Sequence, residues 1–225
     1  MMNFEYFAFI NGEGLDLQNF YETRCVKRLT FKKGDNIKLF PEMHALLNKG
    51  LIKIYMTNSS GNERLMWFLK DLTLIPNHLI YIFDKRVVAE KDSEVLYVKK
   101  EDFLNFILSS SDNLDIILQQ FYKRYALCIQ EILNENVYNS KTKVYRFIFQ
   151  LMEFLGKENE QGQIVIENMP SRKDIASIVG THRSNVTRYI TELEKIGILE
   201  KEKNGIVVKD MEGLQRMIEE NMKEL

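Results

Sequence analysis

Cysteine and histidine are scarce in this chain, and an excess of charge of either sign is missing. Two cysteines, Cys25 and Cys128, are too few for a disulfide framework or for a four-cysteine zinc or iron–sulfur site. The expected setting is a reducing one, the cytoplasm. The three histidines stand apart at 44, 78 and 182, without the clustered ligands that a cupin-type metal enzyme needs. His44 and His78 therefore read as surface or core residues rather than haem ligands. No Ser/His/Asp, Cys/His or phosphate-loop arrangement is present, so the chain does not read as an enzyme and no cofactor or metal is expected. The 31 Lys and Arg against 32 Asp and Glu leave a net charge of -1, and no global field draws the protein to nucleic acid or anionic lipid. Any such partner must be met by a local patch. No run approaches the roughly 20 apolar residues that span a bilayer. The opening MMNFEYFAFINGEGLDL lacks a basic region and meets Glu5 early, unlike a signal peptide.

What is present is ordinary globular material: 225 residues, 45% hydrophobic, 28% charged and 11% aromatic, enough for one large or two modest domains. From Thr23 to Val98 short apolar runs alternate with turn signals, which predicts β-structure. Lys33-Gly34-Asp35 separates VKRLTF from NIKLF, and Asn48-Lys49-Gly50 precedes LIKIYM. The loop Asn58 to Asn62 joins that run to ERLMWFL as a β-hairpin. Val87–Ala89 and Val95–Val98 add two strands, and the set predicts a small barrel or jelly roll.

The period then changes. Leu114, Leu118, Phe121, Tyr125, Cys128 and Ile132 follow at spacings of four and three, which places them on one stripe of a helix capped by Ser111 or Asp112. Periodicity alone leaves two fates for that stripe: burial against the barrel, or a seam with a second subunit. A further helix is expected from Ser140 to Lys157, with Val144, Phe147, Ile148, Leu151, Phe154 and Leu155 on its apolar face and Gly156 near its end. GQIVIEN reads as a strand.

In SRKDIASIVG, Ser171 with Asp174 resembles a capping box, Ile175, Ile178 and Val179 supply a buried side, and Gly180 stops the helix. Helical spacing resumes at Val186, Ile190 and Leu193, giving a helix-turn-helix. Two β-prone runs follow, Ile196 to Leu199 and Ile206 to Val208, around an Asn204-Gly205 turn, and complete a winged pattern. An amphipathic helix near Leu214 to Met222 closes the chain.

The second helix of the motif carries the chemistry. His182, Arg183, Ser184, Asn185, Thr187 and Arg188 are cationic or hydrogen-bonding, and no carboxylate intervenes before Glu192. Such a helix enters the major groove N-terminus first. Arg pairs bidentately with guanine O6 and N7, which makes Arg183 and Arg188 the candidate base readers. Ser171 is a candidate phosphate contact at a helix start, and Lys203 and Asn204 at the wing tip are candidates for the flanking backbone. Between Ser171 and Asp210 eight Lys or Arg meet six Asp or Glu, so placement rather than excess would make the patch.

The stretch SRKDIASIVGTHRSNVTRYITELEKIGILEKEKNGIVVKD resembles the DNA-binding domain of the CRP/FNR regulators, the cyclic-AMP-receptor-like transcription factors. FKKGDNI, LLNKGLIKIY and SSGNERLMWFL are similar to strands of their N-terminal barrel, and Leu114 to Ile132 stands where their long dimerisation helix lies. The resemblance implies an α+β chain in three parts: a cyclic-nucleotide-binding-type β-barrel or jelly roll over 1–110, a dimerisation helix over 111–137, and a winged helix-turn-helix over 138–225. It implies a bacterial regulator that binds a pseudo-palindromic double-stranded DNA site as a homodimer, with RNA polymerase a further partner if it activates, and no membrane partner.

Two departures from the family pattern matter. Ser184 stands where Glu is common between the two arginines, so a half-site different from the usual TGTGA type, richer in A·T, is expected. The stretch LKDLTLIPNHLIYIFDKRVVAEK has no glycine and does not place Lys85 or Arg86 at the family's Arg-Ser position, which argues against cyclic AMP as effector. The rival reading is a sensor or adaptor that acts through protein contacts, with a winged helix that does not bind DNA.

Overall fold

The computed structural model describes residues 15–76, 84–134, 137–167, 169–202 and 205–223. The chain divides into two compact units, with the boundary between Cys128 and Ile129.

The first unit starts with a helix, α1 (Leu17–Arg24), capped by Asp16, whose carboxylate accepts from the Asn19 amide. Strands β1 (Lys27–Phe31), β2 (Met43–Lys49), β3 (Leu51–Thr57), β4 (Glu63–Lys70), β5 (Thr73–Ile75), β6 (Lys85–Ala89) and β7 (Ser93–Lys99) follow. They form two antiparallel sheets, ordered β1-β7-β2-β5 and β4-β3-β6. Where a closed barrel was one expectation, no ladder joins the two sheets among the described strands.

Alternation explains the layering. Ala45, Leu47, Val95 and Tyr97 of the first sheet join Ile52, Ile54, Leu69, Val87 and Ala89 of the second in one core. Leu46, Leu96 and Val98 point the other way, into a second core with Leu17 and Tyr21 of α1, Phe103 and Ile107 of α2 (Lys100–Leu108), and Ile117. The expected β3–β4 hairpin is present, its loop held by Asn58 Oδ1, which accepts from the amides of Ser60 and Asn62. Gly50 turns β2 into β3 with φ +119°, and a Cβ there would collide with Ser93. The strand expected at NIKLF is reduced to a single bridge, Asn36 to Val88. Helices α1 and α2 were not foreseen.

Helix α3 (Ser111–Asn134) begins within the first unit. Its cap is Ser110, whose Oγ accepts from the Asp112 amide, rather than Ser111 or Asp112. Ile117 faces the core, while the predicted stripe faces outward: Leu114, Leu118 and Phe121 are about 40% exposed, Tyr125 and Ile132 about two-thirds. Burial of that stripe against the strands is thereby overturned. The side chain of Cys128 lies outside the described ones.

The second unit is built on α4 (Ser140–Leu155), capped by Asn139 Oδ1, which accepts from the Thr142 amide. Val144, Phe147, Ile148 and Leu151 have no exposed surface, and Phe154 is buried, whereas Leu155 is only half-buried. The helix stops at Gly156, short of the expected Lys157, which starts β8 (Lys157–Glu158). Strand β9 (Ile164–Glu167), helices α5 (Arg172–Val179) and α6 (Arg183–Lys195), strands β10 (Leu199–Glu202) and β11 (Gly205–Val208) and helix α7 (Met211–Lys223) complete the unit. The four strands make one antiparallel sheet, β10-β11-β9-β8. The first wing strand begins at Leu199 rather than Ile196. Ile196 instead closes α6, its amide bonded to the Glu192 carbonyl, and stands 53% exposed.

Candidate nucleic-acid interface

Helix α5 starts at Ser171 much as the capping pattern predicts. Ser171 Oγ accepts from the Asp174 amide at 3.1 Å and donates its own proton to Asp174 Oδ2 at 2.8 Å. Asp174 thus takes the hydroxyl, not the Ser171 amide as in the usual box. A phosphate at this helix start would find the Ser171 hydroxyl already engaged. Gly180 ends α5 in the left-handed region at φ +69°, and its amide and that of Thr181 return to the Ala176 carbonyl. Two residues later His182 is the N-cap of α6, making the turn tight.

Val186, Tyr189, Ile190 and Leu193 of α6 are buried. The opposite face carries the sequence-predicted residues: His182, Arg183, Ser184, Thr187 and Arg188 are exposed, and Asn185 is half-buried. These six share one helix face at the turn. Both carboxylates at the far end of α6 have cationic neighbours. Glu192 Oε1 lies 2.5 Å from Lys141 Nζ, and Glu194 faces Arg172, whose pKa burial lowers and Glu194 partly restores.

Contacts among the candidate readers are a feature the sequence reading missed. Asn185 Nδ2 donates to Thr181 Oγ1 at 3.2 Å, and Asn185 Oδ1 accepts from Arg188 Nη2 at 3.3 Å. Arg188 Nη2 also donates to the Tyr189 hydroxyl at 2.9 Å, with the guanidinium 4.8 Å from that ring's centre. Tyr189 is braced in turn by Ser140 Oγ at 3.0 Å. The i to i+3 spacing of Asn185 and Arg188 is the signal that was available.

On the wing, β10 and β11 pair from Leu199–Val208 to Glu202–Gly205. Glu200, Lys201 and Glu202 are exposed, and Lys209 pairs with Glu200. The proposed tip contacts Lys203 and Asn204 lie outside the described residues.

In the first unit Lys85 and Arg86 are both engaged within the protein. Arg86 donates through Nε and Nη2 to the two oxygens of Glu63, at 2.8 and 2.7 Å, and lies over the Tyr55 ring. Lys85 Nζ donates to the Pro76 carbonyl, and burial lowers its pKa to about 8. His78 is outside the described residues. Among those described, no three His, Cys, Asp or Glu side chains gather as a metal site, and no helix is long and apolar enough to cross a membrane.

A helix-turn-helix with an antiparallel wing and an open cationic face gives the second unit a winged helix-turn-helix fold. Residues 142–217 match the Crp-like helix-turn-helix domain. Solved structures extend the likeness over most of the chain. FixK2 from Bradyrhizobium japonicum superposes with a TM-score of 0.69 at 18% identity, covering 84% of this chain and 96% of its own. A CooA mutant from Carboxydothermus hydrogenoformans gives 0.68 at 19% identity, covering 85% and 87%. A CRP/FNR-family transcriptional regulator from Thermus thermophilus gives 0.62 at 20%, covering 86% and 98%. No curated protein matches the chain. The chain has the fold of the CRP/FNR-type DNA-binding transcriptional regulators, with the N-terminal sheets, long helix and winged domain in that order.

Proposed function

We infer that the protein is a cytoplasmic, homodimeric, sequence-specific transcription regulator that binds a pseudo-palindromic site and is not an enzyme. The observation that carries this reading is the open face of α6, where His182, Arg183, Ser184, Asn185, Thr187 and Arg188 meet solvent with no carboxylate among them. Arg183 and Arg188 read base edges from the major groove, with Asn185, Ser184 and Thr187 beside them. Ser171 marks a phosphate contact made through first-turn amides, and Lys203 and Asn204 reach the flanking backbone.

The outward stripe of α3, Leu114, Leu118, Phe121, Tyr125 and Ile132 with Cys128 in sequence register, supports a two-helix seam between subunits. Tyr122, Ile129 and Leu133 are also exposed and widen it. In a homodimer on a pseudo-palindromic site the two α6 helices would enter successive major grooves, about 34 Å apart. The three-part division at 110 and 137 assigns sensing to the first part and RNA polymerase contact to the assembled dimer if it activates. The engagement of Arg86 by Glu63, and the missing glycine, favour an effector other than cyclic AMP.

Selection of bound duplexes from a random DNA pool tests the reading. An enriched inverted repeat whose binding weakens steeply with salt is the expected result. Recovery of the standard TGTGA half-site overturns the altered specificity, and failure to enrich any sequence favours the adaptor reading.

A further inference from the structure

On α6 the candidate base reader Arg188 is bonded to Asn185 beside it on the same face, and the bond uses an atom that reading requires. Arginine grips a guanine edge through one of two forks, Nη1 with Nη2 end-on or Nε with Nη2 side-on, the latter being the fork Arg86 turns on Glu63. Both forks need a hydrogen on Nη2. In Arg188 the two Nη2 hydrogens go to Asn185 Oδ1 and to the Tyr189 hydroxyl. Asparagine reads adenine by donating from Nδ2 and accepting at Oδ1 together. In Asn185 one Nδ2 hydrogen goes to Thr181 Oγ1 and one Oδ1 lone pair to Arg188, which pins the amide while its second hydrogen and second lone pair stay open. The amide's orientation follows from the chemistry, because a guanidinium only donates and must face the oxygen.

Resting on the base-reading assignment of Arg188 made above, we propose that Thr181, Asn185, Arg188 and Tyr189 form a latch that holds Arg188 out of guanine-reading geometry, and pins the Asn185 amide beside it, until DNA opens it. Release is shared. When Arg188 Nη2 leaves for guanine, Asn185 Oδ1 is freed in the same step, so the two base positions are read as a coupled pair. Tyr189 is the positioning residue. The residue is 8% exposed, its ring meets Tyr145 edge to face at 6.4 Å between centroids, and Ser140 Oγ bonds its hydroxyl, so the acceptor that Arg188 must abandon sits on the packed side of the helix. Phosphate contacts by the wing do not involve the latch, and neither does base reading by Arg183, so binding to random DNA is independent of it.

The test is a binding cycle on the full-length protein with its selected duplex and with random duplex, using Tyr189→Phe, Arg188→Ala and the double variant. Tyr189→Phe removes one competing acceptor and should tighten binding to the selected duplex by about threefold to tenfold while leaving random duplex unchanged. In the Arg188→Ala background that gain should vanish. On the DNA side, changing the base pairs read by Asn185 and Arg188 together should cost less than the sum of the single changes. Unchanged or weaker binding by Tyr189→Phe, with the normal loss for Arg188→Ala, overturns the latch alone. An equal shift on random duplex, or a gain that persists without Arg188, also overturns it. No loss of specific binding in Arg188→Ala overturns the base-reading assignment and the latch with it. Thermal melts of each variant separate a misfolded protein from these outcomes, and if Tyr189→Phe proves unstable the base-pair cycle on the unsubstituted protein decides alone, fully additive costs overturning the latch.

Discussion

Arg86 of β6 and Glu63 of β4 face each other fork to fork across the central strand β3 of the smaller sheet, with both donor–acceptor pairs below 2.9 Å. The guanidinium is thereby committed to a carboxylate, and a ligand phosphate would have to displace it. Calorimetric titration with cyclic AMP should register no binding. Saturable heat would overturn the exclusion. Because both side chains are about two-fifths exposed, Glu63→Gln should cost less than about 1 kcal/mol in a urea melt.

The outward stripe of α3 predicts an assembly defect without a folding defect. Leu118→Glu places a charge on a residue already 42% exposed, so far-UV circular dichroism should be retained. Sedimentation velocity should shift from dimer to monomer. A dimer that survives both Leu118→Glu and Ile132→Glu would place the subunit seam elsewhere.

Ser184 is exposed on the reading face and has no carboxylate to accept from cytosine N4. Ser184→Glu should restore that acceptor and move preference toward a C·G pair at one half-site position by about 1–3 kcal/mol. Competition binding between duplexes that differ only at that pair measures it.

Lys85 gives a pH signature. Burial lowers its pKa from 10.5 to about 8, so between those values the unfolded chain binds more protons and stability rises with pH. Below about 8 the cost of the buried charge is present in full. Lys85→Met should therefore stabilise the protein at neutral pH, and its advantage should shrink as pH climbs from about 8 toward 10.5. Tyr21, Tyr97 and Tyr145, whose pKa values burial raises, act in the opposite sense only above about 10. Paired urea melts across that window decide it.

Gly180 holds the turn between the two helices of the DNA-binding motif at φ +69° and ψ +45°. Gly180→Ala forces a Cβ into the left-handed region at a cost of about 1–2 kcal/mol, read as a lower melting temperature. DNA binding should fall with it, since the turn sets where α6 begins.

The parts of this fold legible in the sequence were those with strong period or strong punctuation. The β3–β4 hairpin stood on an Asn- and Gly-bearing loop, α3 on six spaced apolar residues, and α5–α6 on a capping serine and a turn glycine. Helix α1 escaped because only Leu17 and Tyr21 of its eight residues are buried, too few for a period to show. Helix α2 follows β7 directly at Lys100 with no breaker between, and only Phe103 and Ile107 mark its inner face. NIKLF carries strand-like residues, but only Asn36 finds a bridge partner, a tertiary outcome that propensity does not encode. The solvent-facing side of α6 was legible residue by residue. Its internal bonding was not, because rotamer choice at Asn185 and Arg188 depends on the Tyr189 hydroxyl, and that on Ser140 in another helix.

The Ser171–Asp174 pair carries a consequence for how the protein would search DNA. A helix start normally welcomes a phosphate, but α5 brings its own anion, buried and hydrogen-bonded within its first turn. The carboxylate weakens the phosphate bond to the first-turn amides in every encounter, matched or not, so that contact adds little to affinity for any sequence. The protein would leave wrong sites sooner, and its residence on the right one would rest the more heavily on the few side chains of α6.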